Sequence, residues 1–186
     1  TKDCPYEHSV PAGCSPPNQT KKTTNMKLEK AIFACGCFWG AQHQFERAKG
    51  VIRSEVGYIG GDKENPTYQE VKAHTTGHAE ATLVEFDAEE TTYTDLCKLF
   101  FEIHDPAQTD GQGPDIGPQY RSEIFYLNEA QKQQAEAVIA LLREKGYEVN
   151  TRLTPATVFW PAEDYHQHYY DKTGGEPYCH IRVRKF

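Results

Sequence analysis

A thiol with two aromatic neighbours stands in Gly36-Cys37-Phe38-Trp39-Gly40, where an apolar run of strand length, residues 31–35, gives way to Phe38, Ala41, Phe45 and Ala48 at helical spacing. A cysteine at a helix start meets unpaired backbone N–H groups and the positive end of the helix dipole, which favour thiolate over thiol and make Cys37 a candidate nucleophile. Trp39 falls off the apolar stripe of its own helix and is free to wall a small site beside the sulfur. The competing reading makes Cys37 a buried small hydrophobe. Glu80 is the second residue with chemistry in it. If residues 79–87 form a strand, Glu80, Thr82, Val84 and Phe86 share one face and Ala79, Ala81, Leu83 and Glu85 the other. A carboxyl on the face of Val84 and Phe86 is partly desolvated, so its pKa rises and it keeps a proton to give near neutral pH, as a general acid must. The alternative is a strand-end carboxylate that reaches solvent beside the Gly77-His78 turn.

The elements that must position these two residues read as strands and helices in near alternation. Strands are expected over 31–35, 52–58, 79–87, 121–127 and 156–160, and helices over 38–48, 66–73, 92–103, 128–145 and 161–169. The helix over 128–145 has Asn128 as N-cap and Lys145-Gly146 as its stop, and Pro66 suits the first turn of the helix after Asn65. Residues 57–61 and 104–120 read as loops, the latter long and polar enough to frame a site, although Asp105 and Asp115 are also ordinary turn formers. The pattern implies an α/β or α+β sandwich with a mixed sheet.

Residues 1–25 are expected to be a Pro-rich polar arm and residues 26–186 the working domain. The arm holds four of the eleven prolines and a polar stretch from Asn18 to Asn25, while Met26 is the only methionine. The first residue is Thr1, as after removal of an export signal, and Cys4 and Cys14 either bridge a small loop in an oxidising compartment or remain free thiols. Residues 1–30 carry five Lys against three acidic residues, leaving 15 basic and 24 acidic residues in the remainder, a surface that argues against nucleic acid or anionic membranes as partners. No run approaches the roughly 18 apolar residues of a membrane span.

From about residue 30 to 180 the chain resembles the peptide methionine sulfoxide reductase A family. The resemblance is carried by Gly36-Cys37-Phe38-Trp39, Gly57-Tyr58-Ile59-Gly60-Gly61, Asn65-Pro66-Thr67-Tyr68, Gly77-His78-Ala79-Glu80, His104-Asp105-Pro106, Gly113-Pro114-Asp115, Gln119-Tyr120-Arg121-Ser122 and Glu163-Asp164-Tyr165-His166-Gln167, in the family's order. It implies a ferredoxin-like two-layer sandwich with a long irregular C-terminal segment. It also implies a monomeric enzyme that reduces methionine S-sulfoxide in oxidised proteins, and free methionine sulfoxide as a further candidate, at the expense of thioredoxin or a similar dithiol. By position, Cys37 resembles the nucleophile and Glu80 the acid. Tyr68, Asp115 and Tyr120 match the polar groups around the sulfoxide oxygen, and Phe38 and Trp39 the apolar cradle for the substrate methyl. No metal, flavin or nicotinamide is implied, and the compartment is cytoplasmic by resemblance. Cys179, on the turn-rich tail after Tyr178, is similar to the family's first recycling cysteine, which implies a Cys37–Cys179 disulfide. Gly40 stands where some members carry a second cysteine, and no cysteine follows Cys179, so a relay through two C-terminal cysteines is excluded. Cys35 stands where glycine is expected, and Cys97 sits among Leu96, Leu99, Phe100 and Ile103 as a buried, inert thiol.

Two rival functions use other residues. A metal-binding module would draw on His166, His168, Cys179 and His180, which are proper zinc ligands, although His166 and His168 diverge if residues 161–169 are helical. A Cys-His hydrolase would pair Cys37 with His78 as base.

Overall fold

The computed structural model describes residues 25–186, so Cys4, Cys14 and the arm's paired-thiol reading lie outside the described residues. The chain runs β1 (Leu28–Cys35), α1 (Phe38–Glu46), β2 (Val51–Ile59), α2 (Tyr68–Lys72), β3 (Ala79–Asp87) and α3 (Tyr93–Glu102). A small hairpin follows, β4 (Gly111–Gln112) with β5 (Asp115–Ile116), then a 3-10 turn at Pro118–Tyr120. The chain continues through β6 (Ser122–Tyr126), α4 (Glu129–Glu144), β7 (Arg152–Pro155), β8 (Trp160–Pro161), a 3-10 turn at Asp164–His166 and α5 (Tyr169–Thr173).

The main sheet has the order β7-β6-β1-β3-β2-β8, antiparallel at every pairing except the parallel β6–β7. Its central four strands, β6-β1-β3-β2, with crossovers through α1 and α3, are the split βαβ pattern of a ferredoxin-like sandwich. The expected fold class is the one found. One face carries α1, α3 and α4 over a core in which Phe33 stacks on Phe45 and Phe100 at centroid separations of 5.1 and 5.3 Å. Aromatic pairs of this kind add ~0.5–1.5 kcal/mol beyond their area. The core has no methionine, and Met26 is exposed at its edge. Beneath the other face, Ile32, Ala34, Ile59, Ala79, Ala81 and Phe125 are covered by Ala156 and Phe159 of the irregular segment.

Strand β3 has the expected limits and the expected alternation: Val84 and Phe86 join the helix-side core, Ala79 and Ala81 the opposite one. In α4, Asn128 accepts the Gln131 N–H at 2.9 Å, and Lys145 and Gly146 (φ +90°) end it. Four expectations are corrected. Residues 156–159 are not a strand: β7 ends at Pro155 and they cross the sheet face, because Ala156 and Phe159 pack on the apolar residues of that face instead of pairing with a strand. Residues 161–169 are not a helix, because Gln167 turns its amide onto the backbone N–H and C=O of Val56 at 2.9 and 2.8 Å, and His168 adopts a left-handed conformation. The helix after Asn65 begins at Tyr68, not Pro66. Thr67 and Glu70 cap each other reciprocally, so Pro66 precedes the helix. Residues 57–59 continue β2 rather than opening the loop.

Candidate active site

Gly36, at φ +96°, lets the chain leave β1 and enter α1, and a Cβ there would lie 2.7 Å from Gln112 Cβ in the loop across the site. That loop is fixed at its base. His104 uses Nδ1 on the Phe100 carbonyl and Nε2 on Ser122 Oγ, at 2.5 and 2.7 Å, and burial pushes it down to about 3, so it is neutral. Gln112 closes two hydrogen bonds with the Asp105 backbone, and Asp105 accepts the Ala107 N–H in a local turn, the structural role open to it from sequence.

Cys37 is the N-cap of α1 and is 8% exposed. The N–H groups of Trp39 and Gly40 point at its sulfur, as a helix start should arrange, yet the thiol pKa lies well above its ordinary value. The larger causes are the hydrogen bond with Cys179, burial, and the charge Cys179 can carry; together they outweigh the two amides. The expected resting thiolate is therefore corrected to a thiol. Cys37 Sγ, Cys179 Sγ and an Asp115 carboxylate oxygen lie within 4.8 Å of one another, with both sulfurs free. Glu80 is 2% exposed and accepts the Phe38 N–H at 3.2 Å. Burial first, then the neighbouring Cys37, pushes its carboxyl well above the usual range, so it holds its proton.

The other residues named from sequence fall around this pair. Tyr68, the first residue of α2, neighbours Tyr120 of the 3-10 turn, and burial raises both phenols. Asp115, in β5, accepts the Tyr178 hydroxyl at 3.2 and 3.3 Å on its two oxygens. Phe38 is buried with Val56, Tyr58 and Val71, and Trp39 and Tyr68 pack on this cluster. The Trp39 indole is pinned: it stacks on Tyr169 at 3.7 Å between centroids and donates its N–H to His166 Nδ1 at 2.9 Å.

Sequence reasoning gave no role to Tyr58, whose hydroxyl donates to Glu163 at 3.2 Å, to Tyr169, or to the hydroxyl of Tyr178. Tyr58 and Tyr178 lay in or beside the quoted motifs, but long-range partners carry no local period. The rival constellations do not form. His166 serves Trp39, His168 faces Glu46, and His180 lies between Cys179 and the Cys35 carbonyl, since the left-handed turn at His168 sends the imidazoles to different neighbours. His78 accepts the Gly61 N–H at 3.0 Å and donates to the Lys63 carbonyl at 2.7 Å, so both ring nitrogens hold the loop and neither is left to act as a base. Cys97 is buried, as expected, and burial pushes it up to about 12.

A buried thiol, a protonated carboxyl and a second thiol in reach, on a ferredoxin-like sandwich, define a thiol-disulfide oxidoreductase. Residues 29–186 match the family model described as peptide methionine sulfoxide reductase. The chain is similar to the peptide methionine sulfoxide reductase MsrA of Acinetobacter baumannii, 44% identical over 156 residues, covering 84% of this chain and 90% of that one. It is also similar to that of Geobacter sulfurreducens, 47% identical over 154 residues and covering 81% and 95%. Among solved structures, Mxr1 from Saccharomyces cerevisiae in reduced form superposes with a TM-score of 0.79 at 31% identity, over 85% of this chain and 93% of that one. The chain belongs to the peptide methionine sulfoxide reductase family, and its activity is the thiol-dependent reduction of methionine sulfoxide.

Proposed function

We propose that this site reduces the S epimer of methionine sulfoxide, in oxidised proteins and as the free amino acid, through a sulfenic acid on Cys37 that Cys179 then resolves. The carrying observation is that the two sulfurs lie within 4.8 Å of each other, with the buried, protonated Glu80 next to Cys37. Cys37 attacks the sulfoxide sulfur while Glu80 gives its proton to the oxygen, with the phenols of Tyr68 and Tyr120 and the Asp115 carboxyl around that oxygen. The Cys37 thiol proton replaces the one Glu80 gave. Methionine departs, the oxygen stays on Cys37 as a sulfenic acid, and no proton is taken from outside. Phe38 and Trp39 receive the methyl group. With oxygen, methyl and side chain each assigned a direction, only one epimer fills all three places with its sulfur open to Cys37, and the other is rejected.

Cys179 then forms the disulfide with Cys37, and a dithiol protein of the thioredoxin class reduces it. Residues 26–186 act as the catalytic domain, as a single chain, with residues 1–25 accessory to it. The test is a single turnover on each epimer without reductant. The S epimer should yield one methionine per enzyme and a Cys37–Cys179 bond by mass spectrometry, and added thioredoxin should restore turnover. Equal rates on both epimers, or a bond from Cys37 to Cys35, Cys4 or Cys14, would overturn the reading.

A further inference from the structure

His180 is 1% exposed and has one ring nitrogen on each of two partners: Nε2 lies 2.7 Å from the Cys35 carbonyl oxygen and Nδ1 lies 3.0 Å from Cys179 Sγ. A carbonyl oxygen only accepts, so Nε2 carries the hydrogen, and in the neutral ring Nδ1 presents its lone pair to Cys179. The Cys179 thiol therefore donates to His180, while its sulfur lies within 4.8 Å of Cys37 Sγ. A directed chain results, from Cys179 through His180 to the backbone of β1, beginning beside Cys37.

A second observation is independent of the polar contacts. The imidazole abuts α1 at Gly40, where any Cβ would collide with Nδ1. Gly40, the position at which some relatives carry a cysteine, is here the seat of this ring.

From this geometry we infer that His180 is the general base of the resolving step, drawing the proton from Cys179 as it attacks the sulfenic acid of Cys37; the inference rests on Cys179 being the resolving cysteine. The Cys179 S–H bond breaks and its proton passes to Nδ1. The sulfur's electron pair forms the S–S bond, and the S–O bond of Cys37 breaks with its pair going to oxygen. The oxygen takes the proton back from the imidazolium and leaves as water, so His180 ends neutral. Cys179 is oxidised, the sulfenic sulfur is reduced, and no further reactant is needed. The other groups facing the ring are Cys35 of β1, Asp115 of β5 and His104 at the end of α3; burial opposes charge on His180, but Cys35 and Asp115 outweigh it and raise its pKa.

His180→Gln puts an amide N–H within reach of the Cys35 carbonyl and removes the base. After one turnover of S-sulfoxide without reductant, a 1,3-dione probe should trap a Cys37 sulfenic acid that persists at least ~10-fold longer than in the parent at pH 7. The difference should close by about pH 9.5, where hydroxide can take a thiol proton without the imidazole. Cys35, Asp115 and His104 are all retained, so the pH-dependent deficit belongs to the imidazole. Gly40→Ala keeps the imidazole but drives it off its seat, and should give the same deficit with the same alkaline rescue. A parental sulfenic lifetime at pH 7 in either variant, or a deficit equal at pH 7 and pH 9.5, would overturn the base role. A parent enzyme that forms no Cys37–Cys179 bond would instead remove the reading of the site beneath it, and this role with it.

Discussion

Cys37 and Glu80 sit where charge is withheld from both, so the resting pair is a thiol beside a carboxylic acid. Cys37→Ser should abolish methionine formation, since an alcohol in this pocket has no base strong enough to activate it. Glu80→Gln keeps an acceptor for the Phe38 N–H but has no proton to give, and should slow single-turnover methionine release by ~10²–10⁴. The same variant should melt at a higher temperature than the parent at pH 7, and the gain should disappear at pH 4. The folded carboxyl holds its proton to higher pH than the unfolded one. Its contribution to stability is thus largest below the ordinary glutamate pKa and is lost as pH rises from there toward the folded value. Cys179→Ser removes the thiol and the potential charge that raise Cys37. The pH midpoint for alkylation of Cys37 should fall, while thioredoxin-dependent turnover stops for want of a disulfide.

Among the elements, those with an internal period were legible and those held by distant partners were not. The alternation of β3 placed Glu80 on the helix side of the sheet before any partner was known, and α4 carried both its caps in sequence. Nothing local announces that Gln167 bonds the edge of β2 or that residues 156–159 cross the sheet, since those arrangements answer to Val56, Ala81 and Phe125, many residues away. The thiolate expected of Cys37 failed for the same reason: the helix start is local, whereas the opposing Cys179 lies at the other end of the domain. Gly57 shows how tightly that crossing segment is laid down. A Cβ there would strike the Trp160 carbonyl oxygen and lie 2.6 Å from Phe159 Cζ, so Gly57→Ala should destabilise the fold by ~1–3 kcal/mol, read as a lower denaturant midpoint with an unchanged slope.

On the scale of the whole molecule, the C-terminal tail lies over Cys37, fastened by the Tyr178 hydroxyl on Asp115 and by the Gln44 amide on the His180 carbonyl at 2.7 Å. Tyr178→Phe releases the first fastening without touching the thiols, and Cys37 should then react faster with a small alkylating reagent at fixed pH. The aromatic core has a further consequence, for the conditions under which such an enzyme is needed. Peroxide attacks thioether side chains, and a core filled with methionine would swell and lose packing as those chains became polar. Here the filling is done by rings, and the single thioether, Met26, is 57% exposed at the margin of the sheet. The repair catalyst is thus built of material that does not need the repair, and its melting temperature should survive a dose of oxidant that collapses a methionine-rich protein of equal size.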